Sequence, residues 1–157
     1  MSIIISSIAL VILSPVFLVV AIVIKLTSKG PVFFVQERVG LNGRIFKLYK
    51  FRTMVNDAEQ KLEELQKHSL IKNGPVFKLE NDPRVTPPGR FLRKFSIDEF
   101  PQFWNIFVGD ISVVGPRPPL PREVKQYDYW QRRRLSVRPG LTGLWQVSGR
   151  SALVDFN

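Results

Sequence analysis

With 157 residues the chain is long enough for one compact domain, and its 12 Phe and three Trp supply material for a core. The absence of Cys excludes a disulfide framework and a thiolate metal centre, and a single His excludes a multi-histidine metal cluster. The formal net charge is +10, yet residues 1–24 carry no charged side chain at all and the basic residues begin at Lys25.

The first element is therefore a membrane segment joined to a basic domain. Ile3 to Ile24 would measure ~33 Å as a continuous helix, enough to cross a bilayer. A cleaved signal peptide would carry its basic residues ahead of the apolar run, whereas here Lys25 and Lys29 follow it. By the positive-inside tendency they put the following domain on the cytoplasmic side. Pro15 sits near the middle of the run. It lacks the N–H that a helix needs and clashes with the preceding turn, so it bends or breaks the helix. In lipid the freed carbonyl needs another donor, which the Ser14 hydroxyl can supply. Spacing alone favours a kinked spanning helix over one that breaks, enters a single leaflet and returns.

Next, two β-prone runs, Val32 to Arg38 and Arg44 to Phe51, flank Gly40-Leu41-Asn42-Gly43 and read as a small hairpin. "NDAEQKLEELQKHSLIK" reads as a solvated helix capped by Asn56, with His68 a surface residue. Pro83, Pro87, Pro88 and Gly89 make Asn81 to Gly89 a loop, followed by a short helix carrying Arg90, Arg93 and Lys94. "VGDISVVGPRPPLP" is a short strand ending in a proline-rich loop that presents Arg117. "YDYWQRRRLSVRPGLTGLWQVSGR" starts helical and then turns at Pro139-Gly140 into a glycine-spaced loop. No Walker-type or GxGxxG glycine loop is present.

Asp98 and Glu99 stand side by side in "KFSIDEFPQFWNIF". Ser96-Ile97-Asp98-Glu99 has the spacing of a capping box, which would make the acids a helix start and nothing more. Their surroundings point elsewhere. Arg90, Arg93 and Lys94 precede them and Arg117 follows. Guanidinium forks bind phosphate oxygens in pairs, so two acids among arginines can serve Mg²⁺ and a phosphorylated substrate. One carboxylate can hold the metal while the other attacks phosphorus.

"LSPVF", "KFRTM", "DPRVTPPGRFLRKFSIDEFPQFWNIFVGDISVVGPRP" and "RPGLTGLWQVSGR" resemble, in order, the bacterial sugar transferases, the monotopic polyprenyl-phosphate phosphoglycosyl transferases. The resemblance implies transfer of a sugar phosphate from a UDP-sugar to polyprenyl (undecaprenyl) phosphate with release of UMP, initiating a surface glycan. It implies that Asp98 is the nucleophile, that Glu99 helps hold Mg²⁺, and that Arg93 and Arg117 lie at the phosphates. Lys50 and Arg52 are expected nearby, and Arg138 on the nucleotide-sugar side. The Ser14-Pro15 break implies a re-entrant helix, overturning the spanning reading. The resulting expectation is an α+β fold with a broken re-entrant membrane helix, a small β-hairpin and amphipathic interfacial helices. Residues 1–28 form the membrane part, and residues 29–157 form a cytoplasmic catalytic domain. Family members continue with helical sequence after Ser-Gly-Arg, so the C-terminal part of that domain is expected to be missing.

The basic charge suits anionic membrane lipids at the cytoplasmic face of the bacterial inner membrane, with Arg132, Arg133 and Arg134 as a headgroup-facing or solvated patch. Two other classes compete. A membrane-tethered nucleic-acid binder would account for pI ≈ 10.3 and the interleaved aromatics, but gives Asp98 and Glu99 no task. A catalytically inert interaction module would follow from a missing C-terminal part. The phosphoglycosyl transferase reading is taken, with no nucleic-acid partner and a possible homo-oligomer.

Overall fold

A computed structural model of the chain describes residues 2–58, 60 and 82–143. The fold is α+β. Helix α1, Ser2–Thr27, is long and apolar enough to cross a membrane, judged by length and composition. Pro15 lies inside it, and the Ser14 hydroxyl donates to the Val11 carbonyl at 2.8 Å. That carbonyl is four residues before Pro15, the one a residue with an N–H would have engaged, so the expected substitution of donors takes place.

Strands β1 (Phe33–Val39) and β2 (Ile45–Phe51) pair antiparallel, with Phe34 opposite Lys50 and Arg38 opposite Phe46. Asn42 (φ 55°) and Gly43 (φ 82°) take up the left-handed backbone that closes the tip. On one face of this ribbon Phe46 and Leu48 bury against Ile106 and Ile111. At its other end Phe51 joins Val20 and Ile24 of α1 and Leu92 in a second cluster. The hairpin thus bridges α1 and the rest of the domain.

Helix α2 (Pro87–Lys94) begins inside the stretch expected to be loop. Prolines occupy its first turn, where no N–H is needed, and Thr86 caps it by accepting from Gly89 N at 3.1 Å. A turn of 3₁₀ helix, Ile97–Glu99, leads into α3 (Gln102–Phe107), which packs along α1. Strand β3 (Ser112–Val114), short helices α4 (Pro121–Val124) and α5 (Tyr129–Arg132), and strand β4 (Gly140–Thr142) complete the described chain. The Gly140 stretch, read from sequence as a turn and loop, is a strand instead. It pairs parallel with β3, and a Cβ at Gly140 would lie 2.1 Å from Gly115 N, so the pairing needs glycine. The expected helix around residues 57–72 and His68 fall almost wholly outside the described residues.

Asn105 of α3 substitutes for a third strand beside β2. Fully buried, it accepts from Tyr49 N at 3.1 Å and donates to Lys47 O at 2.7 Å, while also donating to Asp110 Oδ2 at 3.1 Å. Replacing it with Leu strands an N–H and a C=O on the strand edge. Asn105→Leu is therefore expected to lose about 2–4 kcal/mol in denaturant unfolding; a loss under about 1 kcal/mol would mean that the amide is dispensable.

Candidate active site

The site is built where β2 ends. Thr53 O accepts from Thr86 N at 3.0 Å, and a Cβ on Gly89 would lie only 2.2 Å from that same oxygen. The start of α2 is thus seated directly on Thr53. One helix turn later Arg93 returns to the same residue, its Nε donating to Thr53 Oγ1 at 2.8 Å. Helix α2 stops because Ser96 adopts φ 56°, ψ 21°, a left-handed conformation that a residue with a Cβ adopts at a cost of ~1–2 kcal/mol. The reversal turns Asp98 and Glu99 toward β2.

The capping box that the Ser96-to-Glu99 spacing would allow does not form. Its side chain makes no cap bond, and the acids lie in a 3₁₀ turn rather than the first turn of an α-helix. Instead Glu99 Oε1 accepts from Lys50 Nζ at 2.9 Å, joining the turn to β2 across 49 residues of sequence. The carboxyl of Asp98 is pushed above the ordinary aspartate range, first by burial and further by Glu99, with Lys50 and Arg93 opposing. The structure thus brings together four residues singled out from sequence: Asp98, Glu99, Lys50 and Arg93. A carboxylate that is desolvated, free of a cap and edged by two cations is equipped to act as a nucleophile toward an anionic phosphorus centre.

Arg52 has another task. Its Nη1 donates to Lys29 O (2.7 Å) and Asn56 Oδ1 (2.7 Å), and its Nη2 to Ser28 O (2.8 Å). It is buried and fastens the end of α1 to the hairpin. Asp82, ahead of α2, holds Arg84 through Nε at 2.8 Å and through Nη2, and these hydrogen bonds depress its pKa.

Arg117 belongs to a second group. It is exposed and lies 3.6 Å from Glu123 Oε1, whose other oxygen accepts from Leu120 N at 2.7 Å. Beneath its loop lies Arg38, which the sequence reading did not single out. Arg38 is 8 % exposed; Nη1 donates to Pro118 O at 3.0 Å and Nη2 to Gln36 Oε1 at 2.6 Å. Its Nε is buried without a hydrogen-bond partner, an omission that costs about 1–3 kcal/mol. Burial, then the like charges of Arg117 and Arg122, lower its pKa to about 10 despite Glu123. The available signal was periodicity: Arg38 pairs with Phe46 and so shares the apolar face of the hairpin. Along that face Lys50 lies about 13 Å away, four strand residues from Phe46.

Strands β3 and β4 bring Arg138 beside this second group, since a Cβ on Gly115 would lie 2.5 Å from Arg138 O and Gly140 N donates to Pro116 O at 3.0 Å. Arg138 also lines a cleft of about 460 Å³ at the hairpin tip, with Arg44, Phe46 and Asp110. That cleft is not beside the two acids, because Arg44 is six strand residues, about 20 Å, from Lys50.

The donor set suits a particular kind of metal site. No cluster of three His, Cys, Asp or Glu exists among the described residues. Asp98 and Glu99 instead offer two adjacent carboxylates, the pattern for a hard ion such as Mg²⁺ that takes its remaining ligands from substrate phosphates and water.

Residues 1–157 match the sequence profile described as bacterial sugar transferase. The chain belongs to the bacterial sugar transferase family. The chain is 56 % identical over 128 residues to the galactosyl transferase CpsE of Streptococcus agalactiae, an alignment covering 82 % of the chain and 28 % of that relative. It is 46 % identical to the exopolysaccharide production protein ExoY of Rhizobium meliloti, over 93 % of the chain and 66 % of the relative. A Klebsiella pneumoniae relative named UDP-glucose:undecaprenyl-phosphate glucose-1-phosphate transferase is 43 % identical, over 94 % of the chain and 30 % of its own length. The chain thus spans from under a third to about two thirds of the length of these relatives.

Proposed function

We propose that the protein transfers a sugar phosphate from a UDP-sugar to undecaprenyl phosphate, with release of UMP, in the synthesis of a surface polysaccharide. The observation that carries this reading is Asp98, half-buried and uncapped, with Glu99, Lys50 and Arg93 acting on it. The name of the Klebsiella relative supplies the two substrates. In the first step an Asp98 oxygen bonds to the sugar-bearing phosphorus, and the bond from that phosphorus to the bridging oxygen breaks. UMP departs with the bridging oxygen, leaving an acyl phosphate on Asp98. An oxygen of polyprenyl phosphate then attacks the same phosphorus, forming the diphosphate and freeing the carboxylate. Arg93 and Lys50 neutralise phosphate oxygens, and Arg117 meets a further anionic part of the substrate. Glu99, with Asp98 beside it, would hold Mg²⁺, which would supply positive charge toward the phosphate oxygens. The experiment is incubation of membranes carrying the protein with UDP-galactose or UDP-glucose, undecaprenyl phosphate and Mg²⁺. UMP release that depends on the protein is expected. No release with either sugar, together with salt-sensitive binding of nucleic acid, would replace this reading with the nucleic-acid one.

The same reading puts the domain on the cytoplasmic face of the inner membrane, against anionic lipids, with α1 re-entrant. Support comes from Pro15, from Lys25 and Lys29 after the apolar run, and from the apolar surface that α1 exposes on both sides of Pro15, where Ile3, Ile4, Ile8, Val11, Leu18 and Val19 face outward. With no native cysteine, Ser2→Cys is a unique label. It is expected to resist an impermeant thiol reagent added outside intact cells, and to become reactive in the Pro15→Leu background, where a straightened helix can span. Labelling from outside without the Pro15 change would refute the re-entrant helix.

A further inference from the structure

The loop Pro116-Arg117-Pro118 is held from below by a residue that no role in the chemistry described above requires. Arg38 reaches it from β1 and donates to Pro118 O at 3.0 Å, while Val39 N donates to Pro119 O at 2.9 Å. The two bonds fix the backbone immediately after Arg117. On the other side β3 and β4 fix it before Arg117, since Gly115 N donates to Thr142 O at 2.9 Å and Gly140 N to Pro116 O at 3.0 Å. Stability alone gives no reason for a guanidinium at position 38. It is buried on the face that carries Phe46 and Leu48, and its Nε is unpaired. Arg117 and Arg122 repel it, with Glu123 acting against them. An apolar side chain would fill the same space without these penalties. A guanidinium does two things there that an apolar group cannot. It holds the Pro118 carbonyl, and it adds a second positive charge under Arg117.

We propose that Arg38 is a positioning residue that fixes the Pro116-Arg117-Pro118 loop so that Arg117, backed by the buried charge of Arg38, binds an anionic group of the nucleotide-sugar substrate. This rests on the reading that Arg117 meets the substrate. Arg38 itself does not touch the substrate, because its Nε is buried and both Nη groups are engaged.

The test compares Arg38→Met, Arg38→Lys, Arg117→Ala and the Arg38→Met/Arg117→Ala double variant in membranes. For each, kcat and KM are measured with whichever of UDP-galactose and UDP-glucose the parent uses, together with thermal stability. Arg38→Met is expected to raise KM about tenfold with kcat within threefold, because a ground-state contact is loosened. Thermal stability should fall little, because the lost bond to Pro118 O is offset by removal of the unpaired Nε and of the repulsion from Arg117 and Arg122. Arg38→Lys keeps the charge with fewer donors and should recover part of the loss. The double variant should be no worse than Arg117→Ala, because Arg38 acts through that residue. A fall in stability with KM unchanged, or losses that multiply in the double variant, overturns the proposal. Should Arg38→Met fail to fold, Arg38→Lys and Arg38→Gln carry the same comparison. If Arg117→Ala leaves KM unchanged while Asp98→Asn still abolishes turnover, the substrate role of the loop falls and this proposal with it, whereas the function proposed above stands.

Discussion

Asp98→Asn is expected to abolish UMP release, by about 10⁴-fold or more, and at the same time to raise thermal stability. Asparagine keeps the size and the polar contacts but has no carboxylate to bond to phosphorus, so turnover and the covalent adduct should vanish together. The stability effect follows from linkage. Burial raises the pKa of Asp98 above its unfolded value, so any stability this group contributes is complete below the unfolded pKa and is lost as pH rises through the folded one. At neutral pH the parent therefore bears the cost of a desolvated carboxylate, which the amide avoids. The same shift moves the acid limb of kcat/KM to a higher pH than an ordinary aspartate would give, since the protonated carboxyl is not nucleophilic. A capping role predicts a different pair of outcomes, namely stability almost unchanged, because Asn caps as well as Asp, with activity retained. Trapping the adduct with UDP-sugar alone and locating it by mass spectrometry decides the chemistry. Turnover near the parent's in Asp98→Asn would end the nucleophile reading.

Glu99→Gln is expected to slow the reaction by roughly 10²-fold, the scale for removing one fixed electrostatic contact to charge that develops in the transition state. It should also raise the Mg²⁺ concentration needed for half-maximal rate, while the adduct on Asp98 still forms, only slowly. Lys50 is bonded to Glu99 at 2.9 Å, so Lys50→Met frees that carboxylate and removes a cation from the site. The two variants should diverge: Lys50→Met should raise KM for the UDP-sugar, and Glu99→Gln should raise the metal requirement. An unchanged Mg²⁺ dependence in Glu99→Gln would remove Glu99 from the metal site. Chelation of Mg²⁺ should stop UMP release by the parent without dissociating the protein from membranes, because α1 and the basic surface hold it there.

The sequence by itself determined the local features whose causes are local. An uncharged run of 24 residues with lysines after it defines a long apolar helix, and the structure carries that helix from Ser2 to Thr27 without interruption at Pro15. Alternating apolar residues around Gly40-Leu41-Asn42-Gly43 defined the hairpin to within a residue. Asp98 and Glu99 were visible as acids out of place in a basic chain. The start of α2 at Pro87 was hidden, since prolines read as loop unless a cap such as Thr86 precedes them. Tertiary structure alone decided what the polar groups do. Ser96-x-x-Glu99 has the spacing of a cap, but Lys50, 49 residues away, takes the Glu99 carboxylate, and Ser96 goes left-handed. Arg52 looks like Lys50's companion in "KFRTM", two residues on and so of the same strand parity, yet β2 ends at Phe51, and Arg52 bonds the end of α1 while Lys50 bonds Glu99. Arg38 carried only the signal of strand periodicity, and Asn105 carried none. Their roles depend on which backbone groups lie opposite them, and only packing of segments distant in sequence sets that.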